Sequence, residues 1–346
     1  MIEIDGSYGE GGGQILRMAV ALSALTSRDV RITNIRAGRP KPGLKRQHMT
    51  AIEAVREICG GRVEGLKEGS MEVEFFPGKI EEGLHHFDIG TAGSITLVLQ
   101  SCILPSVFAE RDTRISVSGG TDVRWSPPWD YFRNVFLPLL DRMGISIDGK
   151  LVRRGYYPRG GGAVEVVIHP CGEIIPIGFG TGNEKEFDVR GVVNFSSLPE
   201  HVAERVRSAA EKELRGKEIE AKIDVKREGA SSPGVGIVLW AKDRHGRMLG
   251  ADSLGERGKP AEKVGREAAV SLLEEIESGT DIDIRAVDQI LPYAALANGT
   301  SSFRCRGISN HAETEMWLLE KFLDVKFEKR VVGKAVEVTV SPFKGT

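Results

Sequence analysis

Glutamine and asparagine are scarce in this chain, cysteine is sparse and scattered, and no long apolar run occurs. Each absence excludes something. Cys59, Cys102, Cys171 and Cys305 lie far apart and form no CxxC pair, which argues against a zinc site or a disulfide framework. Free thiols in a reducing compartment are the simpler reading, so a cytoplasmic setting is expected. Without an apolar stretch of about 18 residues there is no candidate membrane span, and no membrane partner is expected. The first residues lack the basic and apolar regions of a signal peptide. A formal net charge of -2 excludes a globally basic nucleic-acid binder, so any such contact must be a local patch. Few side-chain amides beside 28% charged residues is a composition that suits a thermophile. Only four glutamines occur, Gln14, Gln47, Gln100 and Gln289. Each lies in or beside a segment singled out below, and several are expected to face a ligand.

Two segments near the N-terminus carry most of the information present. Gly9-Glu10-Gly11-Gly12-Gly13-Gln14-Ile15-Leu16-Arg17 is a glycine-rich turn feeding a helix, which aims backbone N–H groups and the positive end of the helix dipole at an anion. It is neither a Walker A loop nor a GxGxxG fingerprint. The second runs from Ile35 through Arg36, Arg39, Lys41, Lys45 and Arg46 to His48. From Val30 to Ile52 there are six Lys/Arg and no Asp or Glu, so an anion such as polyphosphate or a nucleic-acid end is expected there.

Periodicity gives alternating strands and helices throughout, hence an α/β or α+β class. Helices are expected over 14–26, 47–59, 94–100, from Pro127-Pro128 to 143, 284–296 and 312–322, with strands over 71–76, 115–118, 163–169 and 335–340. Glycine loops recur at Gly9–Gly13, Gly90–Gly93 and Gly160–Gly162, which reads as diverged repeats. Residues 183–278 are more charged and poorer in glycine loops, and the composition of the first half resumes after them. They read as an inserted small α/β domain inside a large domain of residues 1–182 and 279–346. Within it, helices are expected over 200–215 and 260–277, and strands over 187–194, 220–226 and 234–241.

Glu10, inside a phosphate-type loop, has two open roles: a divalent-cation ligand or a dipole partner for the helix that follows. Arg17, Arg36 and Arg39 could form a fork-like anion clamp. Asn310 and Glu313 read as an N-cap and its partner three residues on, which puts His311 on a helix's first turn. A neutral imidazole there is a competent nucleophile, although a lone histidine is more often structural. His48, His85 and His86 lack partners at metal spacing and read as surface or loop residues.

These motifs, with Ser118-Gly119-Gly120-Thr121-Asp122 and Ser309-Asn310-His311, closely resemble the RNA 3′-terminal phosphate cyclases nearly end to end. The resemblance implies an α+β fold: a large domain of three repeats, each a four-stranded sheet with two helices as in enolpyruvyl transferases, plus the small insert. It implies ATP-dependent conversion of an RNA 3′-phosphate end to a 2′,3′-cyclic phosphate through a histidine–AMP intermediate on His311. ATP, a divalent cation (Mg²⁺ or Mn²⁺) and RNA are the implied cofactors and partner, and a homo-oligomer is left open. Glu10 matches the metal ligand with Gln14 beside it, and Arg17, Arg36, Arg39 and Gln47 match the phosphate-binding set. Gln100, Arg285, Asp288 and Gln289 match the nucleotide site, and Pro127 one wall of an adenine pocket. Arg285 departs from a tyrosine that some members place against adenine. A non-catalytic RNA-binding relative acting in ribosome assembly is the alternative, though such relatives lack the histidine. An enolpyruvyl transferase would have no use for it.

Overall fold

A computed structural model describes residues 1–180 and 186–342. The chain builds one supersecondary pattern three times: strand, helix, strand, helix, then a hairpin. In the first repeat β1 (Ile2–Asp5) pairs in parallel with β2 (Val30–Thr33), and the hairpin β3 (Arg62–Glu64) and β4 (Val73–Phe76) completes the order β1-β2-β4-β3. Helices α1 (Gly13–Thr26) and α2 (Arg46–Ile58) cover one face. Ile15, Leu16, Ala19 and Leu22 give α1 its buried stripe, and Ile52, Val55 and Ile58 do so for α2.

The second repeat repeats that order with β5 (Leu84–Asp88), β6 (Thr113–Gly119), β7 (Ile147–Arg153) and β8 (Gly162–Ile168), arranged β5-β6-β8-β7. Its first helix is α3 (Ile95–Ser106). Its second is α4 (Trp129–Tyr131), continued through a π turn at Phe132–Phe136 into α5 (Leu137–Arg142).

The chain then leaves for a separate sheet. β9 (Asp188–Ser196), β10 (Ala221–Arg227), β11 (Gly234–Lys242) and β12 (Met248–Leu254) lie in the order β10-β9-β11-β12, backed by α6 (Glu200–Arg215) and α7 (Ala261–Ser278). Val193, Val206, Leu239 and Leu272 belong to an apolar cluster of their own. Val192, Val238 and Met248, from the same strands, join the large core instead. The sheet is therefore buried on both faces, which is why β11 reads as a nearly continuous apolar run. The expected start of the insert at 183 lies outside the described residues.

The third repeat closes the chain with α8 (Ile284–Ala295), β13 (Ser301–Cys305), α9 (Asn310–Phe322), β14 (Val325–Val332) and β15 (Ala335–Pro342). Its sheet has the order β13-β15-β14, and the place of the fourth strand is held by a single parallel bridge between Gly178 and Ser302. The first strand of this repeat thus lies before the insert and its first helix after it. Among the described residues no helix is long and apolar enough to cross a membrane.

Two buried polar clusters lock the inserted sheet to the repeats. Arg154, 1% exposed, donates to Asp122 Oδ2 (3.0 Å) and Asp130 Oδ2 (2.9 Å) of the second repeat and to both oxygens of Glu228 (2.8 and 3.1 Å) beyond β10. Asn194 of β9 donates to the same two aspartates. Asp283 caps α8 by accepting from the N–H groups of Arg285 and Ala286, and also accepts from Tyr131 Oη (2.8 Å) and from Gly250 N (2.9 Å) of β12. Breaking a buried pair is far costlier than removing a surface one, because a desolvated charge is left behind. Arg154→Met is expected to lower the unfolding free energy by about 3–5 kcal/mol. A denaturant midpoint shifted only as much as a surface pair allows, about 0–1 kcal/mol, would reject this lock.

Candidate active site

The site forms where the N-termini of α1 and α9 meet. Gly12 ends the glycine turn in extended backbone and offers no side-chain cap, so the first-turn N–H groups of α1 stay available to a ligand. Gly9 must be glycine twice over. Its φ is +58, and a Cβ there would sit 2.3 Å from Thr314 Oγ1 on α9. This close approach brings the turn against the start of α9.

The cap of α9 is Ser309, whose hydroxyl accepts from Ala312 N (3.1 Å). Asn310 is instead the first helical residue, and Glu313 pairs with Lys329 (2.7 Å) rather than closing a capping box. A serine one position earlier takes the cap because its short hydroxyl reaches the N–H groups that matter. His311 nevertheless lies in the first turn, as expected.

Gln14 organises the imidazole. Its Nε2 donates to Glu315 Oε2 (2.7 Å) and to the His311 carbonyl (3.2 Å), which turns Oε1 toward His311 Nδ1 at 2.6 Å. An amide oxygen only accepts, so Nδ1 carries a proton and donates. The outward nitrogen, Nε2, lies 3.2 Å from Glu10 Oε2. As imidazolium the ring donates from both nitrogens; losing the Nε2 proton leaves a lone pair facing the glycine turn. Arg39 Nη2 stands 3.7 Å from the same Glu10 oxygen. The structure thus brings Glu10, Gln14, Arg39 and His311 to one point, with Arg17 behind them.

Arg17 feels the charges of two carboxyls, Glu315 and Asp288, and among the described residues makes no ion pair with either. Burial pushes Glu315 up to about 8, with Asp288 adding repulsion and Gln14 and Arg17 opposing. Burial likewise raises Asp288 to about 7 and lowers Arg17 to about 10. Glu315 Oε1 is buried without a hydrogen-bond partner. Glu315 escapes the motif-based reading of the sequence, although it lies four residues after His311 and therefore on the same helix face.

The remaining candidates hold loops rather than point into this cluster. Arg36, in left-handed backbone (φ 54), donates from Nη1 to the carbonyls of Lys41 (2.9 Å) and Gly43 (2.7 Å) and so shapes its own basic loop. Gln47 Oε1 accepts from Ser94 N (2.8 Å), tying α2 to the second glycine loop. Gln100 Nε2 donates to Gln289 Oε1 (2.7 Å), and Gln289 Nε2 to the Arg285 carbonyl (2.6 Å), which joins α3 to α8. Arg285 forms an ion pair with Asp252 of β12. Pro127 turns its carbonyl to Thr96 Oγ1 (2.7 Å), and Pro128 lines a narrow cleft shared with Asp122, Val238 and Asp252.

Two histidine expectations need correction. His48 is buried in α2, where Nδ1 accepts from Lys45 N (3.2 Å); burial and the nearby Arg17, Arg36 and Lys45 charges push it down to about 3. His85 is buried on β5 and bonds Glu57 Oε1 (2.7 Å). His86 is exposed, beside Ser116 Oγ at 2.6 Å. The basic segment is also less bare than its sequence, because Arg31 pairs with Glu72 (2.6 Å) and Arg46 with Glu68 (4.0 Å) across the β3–β4 region. Among the described residues no group of three or more His, Cys, Asp or Glu could hold a metal ion alone.

The two raised carboxyls set a sign for the pH dependence of stability. Each binds its proton more tightly folded than unfolded, where 4.5 and 3.8 are the ordinary values. The unfolded chain therefore holds fewer protons across the neutral range, and stability falls as pH rises from about 4.5 toward about 8. Glu315→Gln is expected to make that fall shallower in urea unfolding repeated from acid to mildly basic pH. An unchanged slope would remove Glu315 from the account.

A sequence profile described as RNA 3′-terminal phosphate cyclase matches residues 8–329. Relatives named RNA 3′-terminal phosphate cyclase include a Methanopyrus kandleri protein, 49% identical over 350 residues that cover 99% of both chains. A Methanosarcina mazei protein is 46% identical over 98% of this chain and 100% of its own, and a Pyrococcus furiosus protein 46% over 98% of each. Among solved structures, the enolpyruvyl transferase NikO from Streptomyces tendae is similar at TM-score 0.39 and 8% identity, over 98% of this chain and 48% of that one. With a profile matched over nearly its whole length and relatives at this identity, the chain belongs to the RNA 3′-terminal phosphate cyclase family.

Proposed function

We propose that this protein converts RNA 3′-phosphate ends to 2′,3′-cyclic phosphates at the expense of ATP, with His311 Nε2 as the nucleophile. The observation that carries the reading is the Gln14 contact on Nδ1, which supports a proton on the inner nitrogen and leaves Nε2, facing Glu10, as the atom that becomes the nucleophile once it gives up its proton. In the first step the Nε2 lone pair forms a bond to the α-phosphorus of ATP and the bond to pyrophosphate breaks. An RNA 3′-phosphate oxygen then attacks the same phosphorus, the P–N bond breaks, and AMP passes to the RNA. The neighbouring 2′-hydroxyl finally attacks the RNA phosphorus, loses its proton, and expels AMP. Two exchanges at the α-phosphorus activate the RNA end, and a third displacement closes the ring, in place of one difficult dehydration.

Arg17 and Arg39 supply fixed positive charge for the phosphates, and the uncapped first turn of α1 adds N–H donors. Glu10 fits a Mg²⁺ or Mn²⁺ ion, because such hard cations are held by one or two carboxylates together with substrate phosphates and water. When bound, the ion would neutralise charge developing on the pyrophosphate. Gln100, Gln289, Asp288, Arg285 and the cleft beside Pro127 and Pro128 are assigned to the nucleotide. Arg36 and Gln47 shape the loops that frame the phosphates. We read residues 183–278 as an insert domain within a large domain of residues 1–182 and 279–346, which the separate apolar cluster of the inserted sheet supports. The four cysteines are free and buried, which supports a cytoplasmic setting.

Incubation with ATP labelled at the α-phosphate and a divalent cation, without RNA, is expected to leave acid-labile label on the protein. The His311→Ala variant should carry none; label retained there would overturn the nucleophile, and none on the native protein would overturn the reading. Gln14→Leu removes the acceptor on Nδ1 and is expected to slow labelling by about 10²-fold, the scale of a misplaced reacting group.

A further inference from the structure

Trp125 is 92% exposed and sits in left-handed backbone at φ 63, a conformation that bulky side chains rarely adopt. Tyr157 is 76% exposed on a neighbouring loop. The two loops are paired: Thr121 N and Asp122 N both donate to the Gly155 carbonyl (2.9 and 3.2 Å), and Asp122 and Tyr156 form a parallel bridge. From that bridge both chains run on in the same direction, one to Trp125 and the other to Tyr157.

The base beneath the aromatics is rigid. Asp122 is buried under Arg154, and Tyr156 Oη donates to Asn194. Gly160 packs so closely on the second glycine loop that a Cβ would lie 2.8 Å from Ala92 Cα. Arg159 N donates to Ser232 Oγ of the insert (3.2 Å). Within the two loop segments themselves the charge has one sign. Residues 152–162 and 123–129 contain no Asp or Glu. Among the described residues neither Arg153 nor Arg159 pairs with a carboxylate, while Arg124 is matched by Glu256. Arg153 Nε donates to the Gly161 carbonyl (2.5 Å), which leaves its charge without a carboxylate. Exposed rings on a rigid base, with guanidinium charges not neutralised by carboxylates beside them, suit stacked bases and their phosphates. The loop that meets Gly160 is in turn tied to α2, the helix that follows the basic segment, by Gln47.

We propose that the paired loops bearing Trp125 and Tyr157, with Arg153 and Arg159, form the docking surface for the single-stranded RNA immediately preceding the reacting end. The inference rests on the cyclase reading. It uses the aromatics as a sequence-tolerant platform and the arginines as backbone contacts, so length of RNA, not base identity, decides its use.

The test compares a dinucleotide ending in a 3′-phosphate with an oligonucleotide of about ten residues, a length within the usual span of one single-strand site. Trp125→Ala and Tyr157→Ala are each expected to raise KM for the long RNA about tenfold, equivalent to the ~1.4 kcal/mol expected for one stacked base. KM for the dinucleotide and labelling of the protein by ATP should stay unchanged, and Trp125→Phe should restore most of the loss. An equal effect on both RNAs, an unchanged KM for the long one, or slower labelling by ATP would overturn the proposal. Failure of the native protein to cyclise either RNA would instead overturn the cyclase reading.

Discussion

The site depends on one side-chain amide that joins the two ends of the chain. Gln14 and His311 are 297 residues apart, yet the Gln14 amide touches the His311 ring, its carbonyl and Glu315 at once. Each contact restricts the others. With Nε2 committed to Glu315 and the carbonyl, only the oxygen is left for the ring, and the ring must answer with a proton on Nδ1. The proton on Nδ1, and the outward turn of Nε2, are therefore consequences of packing α1 against α9. Gly9 makes the approach short enough, because any side chain there would collide with Thr314.

That packing also explains why ionisable groups crowd behind the histidine. Two helix N-termini meet here, and the dipoles favour negative charge in front of them. Glu10 occupies that position at the surface. Behind it, partly buried Arg17 and Asp288 flank buried Glu315, and burial pushes both carboxyls toward holding their protons. A guanidinium beside carboxyls that hold their protons keeps more of its field than one locked in a full ion pair. Arg154 is the contrasting case: three carboxylates surround it, and its charge serves only to dock the insert.

Much of this was legible in the sequence. The helical periodicities of α1, α2, α6 and α7 matched the observed helices to within a residue or two, because their apolar stripes are long. The glycine loops and the resemblance together pointed to Glu10, Gln14, Arg39 and His311, which the fold brings to one point. What stayed hidden was partnership. Short strands such as β3 and β13 are defined by neighbours far away in sequence, not by their own pattern. Nothing local tells that His48 and His85 are buried, since each is covered by elements from elsewhere. The basic run of residues 30–52 looks unbalanced until the β3–β4 region delivers Glu68 and Glu72 to it. Glu315 could have been found from its i,i+4 relation to His311, but only once the ring was taken to need support from below.

Arg285 shows how closely the inserted sheet is tied to α8. A guanidinium at this position could serve as a flat surface for a base, provided something holds it still. Asp252 does so from β12, and burial raises its carboxyl to about 6 even though Arg285 lowers it. Asp252 also borders the cleft with Pro128 and Val238, so one wall belongs to the second repeat and the other to the inserted sheet. Asp283 then couples that sheet to the cap of α8, the helix that carries Arg285, Asp288 and Gln289. A shift of the insert would therefore move the cleft wall, the partner of Arg285 and the start of α8 together. On the proposed reading, the buried Arg154 and Asp283 clusters are what hold a nucleotide site assembled from two separate sheets in one shape before any ligand arrives.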